Sequence, residues 1–185
     1  MTTKVISPAA ILSYPHLFEP NLPPGAAEPV YSCALIFEKG TDLGELKKAA
    51  LAAATEKFGN KAEALIRDGK LRMPFRTDGE EKGYPEGSIF MNVKNKSKPG
   101  IVSVYPGPDG KPTTIDDPAQ IYAGCKVRVS LRAYAYDVSG NKGVAFSLNN
   151  LQKLADGDRL DGRVKAADEF DADLSAKPAD LADLL

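Results

Sequence analysis

The sequence predicts a mainly β fold, a small barrel with helices inserted early in the chain and an acidic segment at its end. Three observations carry this. Residues 125–137 read CKVRVSLRAYAYD, in which apolar Cys125, Val127, Val129, Leu131, Ala133 and Ala135 alternate with Lys126, Arg128, Ser130, Arg132, Tyr134 and Tyr136. This is the period of a strand with one face buried and one wet. Further β-rich runs flank a single strongly helical stretch, with Pro and Gly between them. From Ala167 onward six acids (Asp168, Glu169, Asp171, Asp173, Asp180, Asp183) face Lys177 alone, a charge of −5, against 23 basic and 19 acidic residues, or +4, in the body before it.

A chain of 185 residues, 43% of them hydrophobic, is long enough for one domain with a real core. We divide it into a barrel domain, 1–155, and a flexible acidic tail, 156–185. The start, MTTKVISPAAIL, has neither a charged n-region nor a sustained apolar h-region, and no run of about 18 apolar residues follows. No secretory signal or membrane span is therefore expected, and a cytoplasmic location is. Cys33 and Cys125 fall at apolar phase in strands and read as small buried residues. With His16 the only histidine, no zinc site or other cofactor is expected.

In chain order, residues 5–14 form an opening strand interrupted by Pro8, and SYPHLFEPNLPPG (13–25) is a loop. Six prolines between positions 8 and 29 exclude a helix there. Residues 29–39 are apolar in both phases, which predicts a core strand covered on both sides. Asp42 and Glu45 have capping-box spacing, and Leu43, Leu46, Ala50, Ala54 and Phe58 repeat at helical intervals up to Gly59. Asn60 and Glu63 repeat the cap for a short helix, 61–67, ended by Gly69. Residues 71–87 read as a polar loop holding Arg72 and Arg76. Strand character then resumes on both sides of Lys94, Lys96 and Lys98, which sit at alternate positions on a charged hairpin tip. Gly110-Lys111 lacks the upstream Gly and the Ser or Thr of a P-loop and is a turn. VSGNKG turns the chain after the central strand, and residues 144–154 return as its antiparallel partner. Short strands with helices inserted early suit an OB-fold-like Greek-key barrel, and other small β barrels as well.

On the wet face of the central strand, Lys126, Arg128 and Arg132 precede Tyr134 and Tyr136. Cations track phosphates and aromatic rings stack on unpaired bases, so these five form a candidate groove for single-stranded nucleic acid. Solvated lysines and edge tyrosines are the ordinary alternative. Lys94, Lys96 and Lys98, with Arg72 and Arg76, are candidate flanking contacts to phosphates.

Several stretches resemble the single-stranded DNA-binding proteins encoded by tailed phages and prophages: LSYPHLFEP (12–20), YSCALIFEK (31–39), FMNVKNKSKPGIV (90–102) and above all 121–170, IYAGCKVRVSLRAYAYDVSGNKGVAFSLNNLQKLADGDRLDGRVKAADEF. The resemblance implies an OB-type barrel that protects template strands in replication or recombination without catalysis. It also implies an acidic tail that competes with DNA for the basic groove and recruits phage or host replication proteins. The tail candidates are the six acids above with Leu184 and Leu185; leucines stand where better-known tails end in an aromatic residue.

Two other classes fit parts of the sequence. Asp116 and Asp117 with Glu80, Glu81 or Glu86 offer carboxylates to magnesium, as in a nuclease, but adjacent acids in a Pro/Gly loop are more often solvated turn residues. A phage structural or assembly protein would use the tyrosine face as a subunit interface, since Tyr and Arg are enriched there too. A homodimer is compatible with the same face.

Overall fold

The computed structural model describes residues 2–160 and 169–175. Eight strands appear among them: β1 Lys4–Ile6, β2 Ala10–Asn21, β3 Val30–Phe37, β4 Ile89–Asn95, β5 Gly100–Pro106, β6 Pro112–Thr114, β7 Lys126–Val138 and β8 Asn141–Ala155. Helices α1 Gly44–Phe58 and α2 Ala62–Arg67 lie between β3 and β4. Strands β7, β2, β3, β4 and β8 pair in that order, and β8 pairs back onto β7, so five strands close a barrel. The β4–β8 pairing is parallel and the other ring pairings are antiparallel. This is the OB-like Greek-key ring that the element order suits.

Alternation along β7 works as expected: Val127, Val129, Leu131 and Ala133 are buried, while Lys126, Arg128, Arg132 and Tyr134 face out. The inward residues join Leu12, Cys33, Leu35, Phe37, Met91, Val93, Phe146, Leu148 and Leu151 in one core. Each fully buried Leu or Phe contributes about 1.5–3 kcal/mol. Burial pushes the Cys33 thiol up to about 12, with nearby Cys125 adding to the shift, so it stays protonated. Helix α1 packs on β7, β8 and β1 through Leu46, Ala49, Ala50, Ala53 and Ala54, whose small side chains let the backbones approach closely. Its capping box does not form. Asp42 instead accepts from the Gly44 N–H one residue before the expected position, at 2.9 Å.

Four segments depart from the sequence reading. The Pro-rich stretch 13–21 makes up most of β2. Register shifts after Ser13 and after His16 put irregularities where Pro15 and Pro20 need no ladder N–H. Strands β4 and β5 form no hairpin. Both run parallel to β8, Val93 opposite Phe146 and Gly100 opposite Asn150, with 96–99 looped out between them. Asparagine side chains replace the ladder across this gap: Asn95 Nδ2 donates to the Leu148 carbonyl at 2.8 Å, and the Gly100 N–H donates to Asn150 Oδ1 at 3.0 Å. Residues 71–87 are pinned to the barrel, Arg72 by backbone bonds to Lys142 and Val144 and Arg76 by a reciprocal pair with Phe90.

The fourth is the segment after β8. Tyr122 Oη donates to Asp156 Oδ1 at 2.8 Å, the Leu160 N–H donates to the Ala123 carbonyl, and the backbones of Gly124 and Gly157 meet where a Cβ on either would collide. Gly124 also has φ +112 and leaves its Cβ direction to the Asp158 carbonyl. Gly124→Ala is expected to expel 156–160 from the barrel at a cost on the order of 1–3 kcal/mol. A melting temperature lowered by several degrees, with faster proteolysis after residue 155, would check this.

Candidate nucleic-acid interface

Across the outer face of β3, β4, β8 and β7, the pairing brings Ser32 beside Lys94, Ala34 beside Asn92, and Ala145 beside Tyr134. Small residues around Tyr134 and Lys94 leave a depression of about 450 Å³, rimmed by Tyr14 and His16 of β2 and by Asn21, Pro23 and Pro24 at the β2–β3 connection. Among the described residues no carboxylate lines it. Tyr134 keeps 37% of its surface exposed, and burial of the rest, helped by neighbouring Tyr136, holds its phenol above the usual value. A neutral ring on the floor and an ammonium beside it are what stacking on a base and pairing with a phosphate require. The lower half of the same face is closed. Tyr84 packs edge-on to Phe90 at 5.3 Å over Ile36, and its hydroxyl hydrogen-bonds Ser13 at 3.0 Å.

The ten cationic and aromatic candidates are not brought together. Only Tyr134 and Lys94 line this cleft. Arg132 sits opposite Lys4 of β1, in a shallow surface with Ser130, Ser147, Asn149 and Asn150. Arg128 donates to Gln152 Oε1 at 2.7 Å, and Lys126 lies at the far end of β7 beside Glu38 and Thr41. Tyr136 lies over Gly143, its paired residue on β8, where a Cβ would strike its hydroxyl and the Arg72 carbonyl. Arg76 forms an ion pair with Asp78 at 2.8 Å and stacks over Phe90 at 5.0 Å. Beyond β4 the lysines diverge: Lys96 reaches Glu28 at 2.8 Å and Lys98 lies over Phe18. The mutual bond lowers the Glu28 pKa and raises that of Lys96.

Residues that the sequence reading assigned elsewhere line the cleft. Ser32 and Ala34 belong to a strand expected to be core alone; its polar Ser32 was the available signal. Tyr14 falls at the expected junction of the opening strand with the loop, and His16 within that loop. The β2 irregularity holds Tyr14 at φ 44 and turns its ring outward, 63% exposed. A left-handed conformation in so bulky a residue costs on the order of 1–3 kcal/mol.

Among the described residues no three His, Cys, Asp or Glu side chains converge on a metal position. Asp117 accepts from the Ala119 N–H and Glu80 from the Gly87 N–H, as turn residues do. No described helix is long and apolar enough to cross a membrane. Of the acidic candidates, Glu169, Asp171 and Asp173 are exposed, whereas Asp168, Asp180, Asp183, Leu184 and Leu185 lie outside the described residues.

The barrel is similar to solved structures. The single-stranded DNA-binding protein of bacteriophage Enc34, in complex with ssDNA, superposes with TM-score 0.64 at 20% identity, covering 85% of this chain and 89% of that one. The same protein in another structure gives 0.62 at 22%, covering 91% and 90%. gp2.5, a single-stranded DNA-binding protein encoded by bacteriophage T7, gives 0.60 at 14%, covering 97% and 100%. At these identities the likeness is one of fold. No curated protein matches the chain. Residues 3–182, nearly its whole length, match the family described as Enterobacter phage Enc34, ssDNA-binding protein, and the chain belongs to that family.

Proposed function

We infer that the protein is a phage-encoded single-stranded DNA-binding protein that coats and protects strands during replication or recombination in the host cytoplasm. The observation that carries this reading is the cleft with Tyr134 and Lys94 on its floor and no described carboxylate in its lining, on the outer face of a barrel of the kind that takes oligonucleotides. Family membership and the phage relatives support it. Tyr134 stacks on a base and Lys94 pairs with a phosphate. Arg132, with Lys4, extends the cationic surface beside the cleft; Lys96, Lys98, Arg72 and Arg76 are peripheral, three of them already engaged by Glu28, Phe18 and Asp78. The acidic tail competes for the cationic face and recruits replication proteins when DNA displaces it. The reading is of binding without catalysis, supported by membership of a family of ssDNA-binding proteins.

A fluorescence titration with a poly-pyrimidine oligonucleotide at two salt concentrations tests this. A binder loses affinity steeply with salt. Indifference to DNA in any salt would transfer the face to a subunit interface, and shortened products in the presence of magnesium would mean a nuclease.

A further inference from the structure

Strand register lines up polar and charged residues that lie far apart in the sequence. His16 pairs with Ser32, Ser32 with Lys94, Lys94 with Ser147, Ser147 with Arg132 and Arg132 with Lys4. One row therefore crosses β2, β3, β4, β8, β7 and β1, at about 4.8 Å from strand to strand, with its side chains on the outer face. Two residues along β3, β4, β8 and β7, the same face carries Ala34, Asn92, Ala145 and Tyr134. This second row runs beside the first at about 6.7 Å.

One opposed pair in the first row is unfavourable by itself. Lys4 and Arg132 face each other across β1 and β7, and like charges so placed destabilise a sheet. The ladder nonetheless fixes the two backbones there: the Ala133 N–H donates to the Thr3 carbonyl and the Ser7 N–H to the Val129 carbonyl, each at 2.8 Å. Next in the row, Ser147 Oγ accepts from Asn95 Nδ2 at 3.2 Å, which leaves the hydroxyl its own proton to give. Two cations and a hydroxyl donor held side by side attract anionic oxygens.

We propose that the DNA strand crosses the β-strands instead of following β7, its bases over the row that ends at Tyr134 and its phosphates passing from Lys94 over Ser147 to Arg132 and Lys4. This rests on the single-strand-binding reading above and gives its site a direction and a further phosphate contact, Lys4, on a strand outside the five-strand ring. Parallel rows, one of cations and one with an exposed ring, match the two parts of a single strand, its phosphates and its unpaired bases. Arg128 and Lys126 share the phase of Arg132 but lie about 13 and about 20 Å further along β7, and they take no part.

The test reads the affinity of the full-length protein for an oligothymidine of about twelve nucleotides by fluorescence across a salt series. The parent is compared with Lys4→Gln, Arg132→Gln, their double variant and Arg128→Gln. Each of Lys4→Gln and Arg132→Gln should reduce the slope of log affinity against log salt by about 0.7 and weaken binding roughly fivefold at about 0.1 M salt. The double variant should lose about 1.4 in slope and roughly 25-fold in affinity. Arg128→Gln should bind like the parent. Lys4→Gln should melt no lower than the parent, because it removes a like-charge opposition. A loss in Arg128→Gln equal to that in Arg132→Gln, with Lys4→Gln silent, lays the strand along β7 and overturns the proposal. Silence of both Lys4→Gln and Arg132→Gln while Tyr134→Ala weakens binding overturns it too and leaves the cleft intact. Tighter DNA binding by either variant assigns the row to the chain's own acidic end and overturns the path. A lowered melting temperature of Lys4→Gln with the slope unchanged makes Lys4 a packing residue and overturns its phosphate contact. A parent that does not bind the oligonucleotide overturns the underlying reading as well.

Discussion

Tyr134→Ala should weaken binding to a poly-pyrimidine strand by ~1–3 kcal/mol, roughly five- to a hundredfold in Kd, with little change in melting temperature. The ring stands over Ala145 on the open floor of the cleft, so its removal takes away a stacking partner and opens no cavity in the core. Tyr136→Ala should do the reverse. Its ring covers Gly143 and the Arg72 backbone, so truncation bares a paired glycine and costs stability, while affinity changes less. Lys94→Ala should reduce the slope of log affinity against log salt by about 0.7, the share of one phosphate contact on a single strand. Thermal melts run beside the titrations separate the three. If Tyr134→Ala and Lys94→Ala both bind like the parent, the cleft is not the groove.

Truncation after Ala167 should tighten single-strand binding at low salt. The removed segment carries −5 and the remaining body +4. Tethering holds the segment at an effective concentration of order millimolar. Screened attraction then makes it a competitor for the cationic face, and the advantage of truncation should shrink as the Debye length falls below about 10 Å at salt above 0.1 M. The same truncation should lose any replication protein that docks on 180–185. Equal affinity of the two forms at low ionic strength would show that the tail never visits the groove and leave only its recruiting role to be tested.

Lys96 shows why charge patterning alone does not say which residues share a face. Alternate spacing put Lys94, Lys96 and Lys98 on one face because the strand was assumed to continue or to turn in a hairpin. The chain instead loops out after Asn95 and rejoins β8 at Gly100, held by the Asn95 and Asn150 side chains. Only Lys94 is then left on the sheet. The same limit applies to Tyr134 and Tyr136. Their phase is shared, but the register with β8 sets one opposite alanine and the other opposite glycine, and this separates an exposed ring from a packed one.

Local patterns of the chain determined a great deal unaided. Period-two alternation in β7, helical spacing in α1, turn residues between β7 and β8, and the segregation of acids to the end all follow from adjacent residues. The first three were read correctly as elements because their causes lie within a few positions. What only the tertiary structure decided is which outward residues face the same space. Closure of β8 on β7 and the parallel pairing of β4 with β8 bring Ser32, Lys94 and Tyr134 together from far apart in the chain. Bulges in β2 let a proline-rich stretch pair as a strand and aim Tyr14 at the cleft. Registers and bulges are settled by long-range packing of the barrel interior, where the inward residues of every strand must fit at once, and no local pattern contains that condition.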